Sequence, residues 1–259
     1  AHFAPKRTRI NFDREALISG KPFTLNKDNY ISIGKDTFEA DIMLKDSNDS
    51  GLHLYTTADA EAGNNTTLKL FNITLSGITG SIPGIPYIAG NLSANLNHKS
   101  TATGNTIEGN ITVDSLAYEG TPIGNEKIEL TYMMEQDDKH NLELTLQHNS
   151  RAVAHLEGNY TAGDKEHLSG KLSLTRLPLE MAQAFIGKDV ALISGYADSE
   201  ITLKGTTDSL TSNGYLKLDS TYIYISSLGA TLHPAEEKIT IENSIAKFNR
   251  FHIYDKANS

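Results

Sequence analysis

Apolar and polar residues alternate with a period of two through most of this chain. Leu68-Lys69-Leu70, Ile111-Thr112-Val113, Leu142-Glu143-Leu144-Thr145-Leu146, Leu172-Ser173-Leu174, Ile201-Thr202-Leu203 and Leu216-Lys217-Leu218 all follow it. Successive side chains of an extended backbone point to opposite sides, so each run has one apolar face and one face of Lys, Glu, Thr or Ser. That is the signature of antiparallel strands wet on one side. Turn-forming clusters separate the runs: Asp46-Ser47-Asn48-Asp49-Ser50-Gly51, Glu61-Ala62-Gly63-Asn64-Asn65, Thr103-Gly104-Asn105, Gln136-Asp137-Asp138-Lys139, Ala162-Gly163-Asp164 and Ser212-Asn213-Gly214.

The alternation breaks in two places. Between Tyr215 and Ile225, Leu216, Leu218, Tyr222 and Tyr224 share one parity, whereas Ile223 and Ile225 have the other. A β-bulge near Asp219-Ser220, or a strand covered on both faces, would account for this. Phe248 and Phe251 also differ in parity. One segment, 177–187, reads as a short helix, with Pro178 in its first turn and Gly187 where a C-terminal cap would stand.

Two stretches match each other at a constant offset of 105 residues: Gly90 with Gly195, Gly109 with Gly214, Asp114 with Asp219, Ser115 with Ser220 and Gly124 with Gly229. Upstream the offset is 104, pairing Leu68 with Leu172, Leu70 with Leu174, Ile73 with Leu177 and Leu75 with Leu179. Repetition at a fixed period points to a stacked, elongated architecture. The division expected is N-terminal strands over 1–60, a first β repeat over 61–140 and a second over 141–259, in one continuous sheet without a linker. The counterpart of the helical segment, 80–88, holds too much Gly and Pro for a helix. Both segments read as plugs or caps at one end of a unit.

Composition narrows the function. Apolar residues make up 38% of the 259, and the formal charge is -9. With a pI of about 5.5, nucleic acid is not expected as a partner. The chain has no cysteine, which removes thiol catalysis, disulfides and Cys-ligated zinc. Its nine histidines lack metal-ligand spacing, and the acidic pairs Asp137-Asp138 and Glu236-Glu237 read as solvated turns. No nucleophile elbow or phosphate loop is present. The expectation is therefore no catalytic residue, no metal and no cofactor. No run approaches the roughly 20 apolar residues of a membrane-spanning helix. Both termini read as cut from a longer protein.

What remains is the apolar face, which must be buried against something. Either a second sheet closes over it, giving a sandwich with an ordinary core, or the sheet curls into a trough that could shelter an acyl chain or a β-strand. The residues expected to line such a lipid trough are Leu96, Ile111, Val113, Leu172, Leu174, Ile201, Leu203, Leu216 and Leu218.

A family resemblance bears on this choice. The block Leu172-Ser173-Leu174-Thr175-Arg176-Leu177-Pro178-Leu179, then Ala184-Phe185-Ile186, Ser194-Gly195-Tyr196-Ala197 and Ile201-Thr202-Leu203-Lys204-Gly205-Thr206 resembles the TamB family, in its C-terminal region and most closely in Bacteroidetes members. The likeness runs on through Asn213-Gly214-Tyr215-Leu216-Lys217-Leu218-Asp219-Ser220, Ile239-Thr240-Ile241 and Phe248-Asn249-Arg250-Phe251. An echo stands at Ile107-Glu108-Gly109-Asn110-Ile111-Thr112-Val113-Asp114-Ser115. Residues 65–259 share it well and 1–60 only in texture.

The resemblance implies an elongated, curled β-taco sheet in the periplasm of a Gram-negative bacterium. It also implies an inner-membrane anchor elsewhere in the full-length protein. The partners implied are phospholipid or another acyl-chain ligand and an Omp85-class outer-membrane barrel; the role implied is lipid transport and outer-membrane protein assembly. A chaperone-like module that binds nascent strands by edge augmentation, and a closed structural or adhesive repeat, are the alternatives.

Overall fold

The computed structural model describes residues 7–18, 21–35, 37–59, 63–80, 82–101, 104–136, 138–163, 166–186, 190–234, 238–248 and 252–255. Asp137, Gly187, Glu236-Glu237 and Phe251, singled out above, lie outside them, as does His2, one of the nine histidines. The described strands form one sheet, and all their pairings are antiparallel.

The body of the sheet is a meander. Strands β5 (Phe38–Lys45), β6 (Gly51–Asp59), β7 (Gly63–Thr74), β8 (Ile88–Thr101), β9 (Gly104–Tyr118), β10 (Thr121–Glu135), β11 (Lys139–His148), β12 (Arg151–Thr161), β13 (His167–Pro178), β14 (Ala191–Gly205) and β15 (Leu210–Ile225) each pair with the next in sequence. Both outer strands of the meander fork. The start of β5 pairs with β4 (Tyr30–Ile33), and its end with β3 (Lys21–Leu25). β15 pairs with β17 (Lys238–Glu242) at Gly214–Lys217 and with β16 (Ala230–Pro234) at Ile223–Ile225. Four further short strands complete the forks. β1 (Thr8–Ile10) lies on β4, β2 (Glu15–Ile18) on β3, β18 (Ile245–Lys247) on β17 and β19 (Ile253–Asp255) on β16.

The sheet is open. Among the described residues the only apolar side chains classed as buried are Leu25, Ala40, Ala94, Val153, Ala197 and Ile239. Most leucines of the long strands are half-buried, and Leu142, Leu192 and Leu210 are exposed. A sandwich would enclose those leucines in a dry core, so the closed alternative is overturned.

The predicted bulge is present. Ser220 adopts a left-handed φ of 49°, and the β14–β15 register shifts between Ser194 and Tyr196. That shift lets Leu218 stay on the apolar face while the parity changes beyond it. Similar irregularities fall at matching offsets: φ is positive at Asn72 and Arg176 (52° and 45°), at Gly90 and Gly195 (135° and 110°), and at Ser115 and Ser220 (53° and 49°). The two left-handed N–H groups are caught in the same way. Arg176 N–H donates to Asp198 Oδ1 at 2.8 Å, and Asn72 N–H to Ser93 Oγ at 3.4 Å.

The segment expected to be helical forms a 3-10 helix, Leu179–Phe185. A short helix α1, Leu75–Thr79, stands before the Gly- and Pro-rich stretch that follows β7; the sequence reading did not anticipate it. The 3-10 helix is pinned to β14 by Gln183, which is buried. Its Nε2 donates to the carbonyls of Ile186 (2.8 Å) and Ala191 (3.0 Å), and its Oε1 accepts from Ile193 N–H at 2.9 Å. The far end of this helix reaches back to β9, where the rings of Phe185 and Tyr118 lie 5.1 Å apart.

Candidate functional site

The registers join apolar residues of separate strands into continuous rows across the sheet. One row runs Leu44, Leu52, Leu70, Ala94, Ile111, Ile128, Leu146, Ala154, Leu174, Ser199, Leu216 and Ile239, each opposite the next. A parallel row contains Leu54, Leu68, Leu96, Gly109, Leu130, Leu144, Leu156, Leu172 and Ile201. Residues directly opposite on an antiparallel pair share a face, so these rows form one apolar band from β5 to β17. Only Ser199 interrupts the first row with a polar group, and its hydroxyl is satisfied by donating to the Tyr215 carbonyl at 2.6 Å.

All nine residues expected at the site lie on this band, and all nine are half-buried. Leu172 faces Ile201 directly, while Leu174 and Leu216 flank Ser199 from either side. Val113 faces Leu92 and Glu126, Leu203 faces Gly170 and Ser212, and Leu218 faces Ala197. They form two groups, one on β8–β9 and one on β13–β15. The gap between them is filled by Ile128, Leu130, Leu144, Leu146 and Leu156 on β10–β12. The sequence-based site omitted these five, although the alternation at Leu142–Leu146 carried the signal for β11.

The opposite face is charged and solvated. Lys99 pairs with Glu108 at 2.5 Å and Lys171 with Glu200 at 3.0 Å, both exposed. Arg176 gathers four strands at the edge. Its backbone N–H donates to Asp198, its Nη1 donates to Asp219 Oδ2 at 2.5 Å, its carbonyl accepts from Arg151, and its guanidinium lies 4.1 Å over the Tyr196 ring. The hydrogen bond from Arg176, with a smaller one from Ser220, holds the Asp219 carboxyl below its ordinary range.

One ionisable pair stands within the apolar band. Glu126 Oε1 lies 2.6 Å from His148 Nδ1, and Glu126 is only 8% exposed. Burial raises the pKa of the Glu126 carboxyl, partly offset by the hydrogen bond and charge of His148. Its second oxygen, Oε2, is buried without a hydrogen-bond partner. His53 lies against Asp41, His140 against Tyr132, and His155 against Thr145 and Glu157. Among the described residues no three His, Asp or Glu side chains form a group able to hold a metal. Among the described residues no helix is long and apolar enough to cross a membrane.

Fold and band together define a class: a long open antiparallel sheet with one continuous apolar face and no grouped catalytic chemistry among the described residues. A family model described as the TamB N-terminal domain matches residues 46–218, and the chain belongs to the TamB family. The matched model is that of the N-terminal domain, so the C-terminal placement read from the sequence gains no support from it. Comparison with curated proteins and with solved structures returned no match.

Proposed function

We propose that this chain is the periplasmic part of a TamB-like protein whose apolar band shields lipid acyl chains between the inner and outer membranes and supports outer-membrane protein assembly. Membership of the family gives the general role, in an envelope protein that transports or assembles rather than catalyses. The apolar band from β5 to β17, with Ser199 and the Glu126–His148 pair as its polar points, carries the finer reading. Each methylene exposed to water costs about 0.8 kcal/mol, and a continuous apolar track removes that cost at every step without a deep trap. Phospholipid is the cargo and an Omp85-class barrel the outer-membrane partner; the inner-membrane anchor belongs to the full-length protein.

The sheet is read as curled about this band into a trough. In a flat sheet β9 and β14 would stand roughly 24 Å apart, whereas a seven-residue 3-10 helix runs only about 14 Å. The Phe185–Tyr118 contact, made from a helix pinned on β14, supports strands drawn round toward each other. The chain is further read as two copies of one unit. Support comes from the paired left-handed residues and from α1 and the 3-10 helix, which begin at Leu75 and Leu179.

Photocrosslinking in cells tests the function, with the probe at Leu218 on the band and at Lys217 on the solvated face. Phospholipid captured at Leu218 and not at Lys217 is the expected result. Silence at both positions in folded protein would sink the lipid reading.

A further inference from the structure

Within the band, Gly158 on β12 stands directly opposite Gly170 on β13, with Leu142 and Leu203 on either side of the pair. Two adjacent missing side chains leave a recess of about 350 Å³. Leu156 and Leu168 line it along the strands, and an aromatic wall closes the side nearest the turns. In that wall Tyr132 Oη lies 2.6 Å from His140 Nδ1, and the His140 and Tyr160 rings stand 5.7 Å apart.

Gly158 is not required by its backbone. Its φ is an ordinary one, and a Cβ built on it would meet nothing closer than Leu142 Cβ at 4.0 Å. A Cβ at Gly109 or Gly214 would fall 2.0 Å from a neighbouring strand's carbonyl oxygen, and one at Gly170 would come within 3.1 Å of the Glu157 carbonyl oxygen. A strand glycine without such a need gives up stability relative to alanine. Where neither a turn nor a close backbone approach explains a strand glycine, space for something else to approach does.

We infer that the Gly158–Gly170 recess is a discrete seat for the methyl end of one lipid acyl chain. The inference rests on the lipid-conducting reading above and adds a fixed station to it. A recess of this size admits on the order of ten methylenes, taking each as roughly the 30 Å³ of a liquid water. The aromatic wall bars passage toward the turns, so the chain enters from the Leu156–Leu172 side and the headgroup stays outside.

The test is photolysis of the full chain with palmitic acid carrying a diazirine at its terminal carbon, the adducts being mapped by tandem mass spectrometry. The expected adducts concentrate on Leu142, Leu156, Leu168 and Leu203. In Gly158→Leu, which fills the recess, they fall at least about tenfold while adducts at Ile111 persist. If that variant does not fold, Gly158→Ala carries the comparison; its single methyl displaces about one methylene, for a loss of about fourfold. Adducts spread evenly along the band, or unchanged by either substitution, overturn the seat and leave the lipid reading intact. Absence of adducts anywhere on the band overturns both.

Discussion

The ring of Phe185 meets that of Tyr118 at 5.1 Å, although Phe185 follows β13 and Tyr118 ends β9. Phe185 is 74% exposed, so its ring adds little to stability. The anchor of the bridge is Gln183, two residues earlier.

Replacing Gln183 with Ala strands the Ile193 N–H and two carbonyl partners. A buried donor left unpaired costs about 1–3 kcal/mol. The melting temperature should therefore fall by several degrees, with amide exchange accelerating at Ile193 before it does in β10–β12. Unchanged exchange at Ile193 would show that the helix is not held by this side chain.

Strand glycines should divide into two groups. Gly214→Ala places a methyl group 2.0 Å from the Glu200 carbonyl oxygen and should destabilise by more than about 1 kcal/mol. Gly158→Ala meets open space and should stabilise by about 0.4–1 kcal/mol, because the unfolded chain loses freedom. Urea midpoints of the two variants against the parent decide the matter.

The Glu126–His148 pair predicts a pH dependence. Burial raises the Glu126 pKa above its ordinary value of 4.5, so the folded state binds this proton more readily than the unfolded state. The group's stabilising contribution is complete below about pH 4.5 and is lost as pH rises through the folded value. Glu126→Gln fixes the neutral form while keeping a polar partner for His148. Its melting temperature should exceed the parent's at pH 7, and the difference should vanish near pH 4. A difference constant across that range would contradict the assignment.

Leu218→Asp puts a charge on the band opposite Ala197. Because Leu218 is half-buried, the strands should survive, with far-ultraviolet circular dichroism unchanged and lipid capture at the neighbouring positions lost. Collapse of the β signal would mean that Leu218 acts as core.

Much of this was legible in the sequence, because a period of two leaves few choices. Leu172, Leu174, Leu216 and Leu218 belong to one face by parity alone. Their partners across the sheet were not legible, since register is set by bulges and turns rather than by parity. Ile128, Leu130 and Leu156, which help close the gap between the two groups, were missed for this reason, whereas Leu144 and Leu146 stood in a legible alternation. The recess was hidden more deeply. Gly158 and Gly170 lie twelve residues apart and become neighbours only through the β12–β13 register. Helix α1 was illegible for a third reason: it has no side-chain cap and no buried residue, so its five residues leave no start signal and no apolar stripe.

From β5 to β15 every strand pairs with its predecessor in the chain. No strand in that run has to wait for a distant segment to be made. Each new strand can be laid on the one before it as the polypeptide emerges, and the loop closed is only a turn or a short helix. The molecule can therefore be built in order of its synthesis. A defect in one strand should stop growth at that point rather than unravel what was already laid down, so truncated intermediates should be ordered up to the lesion.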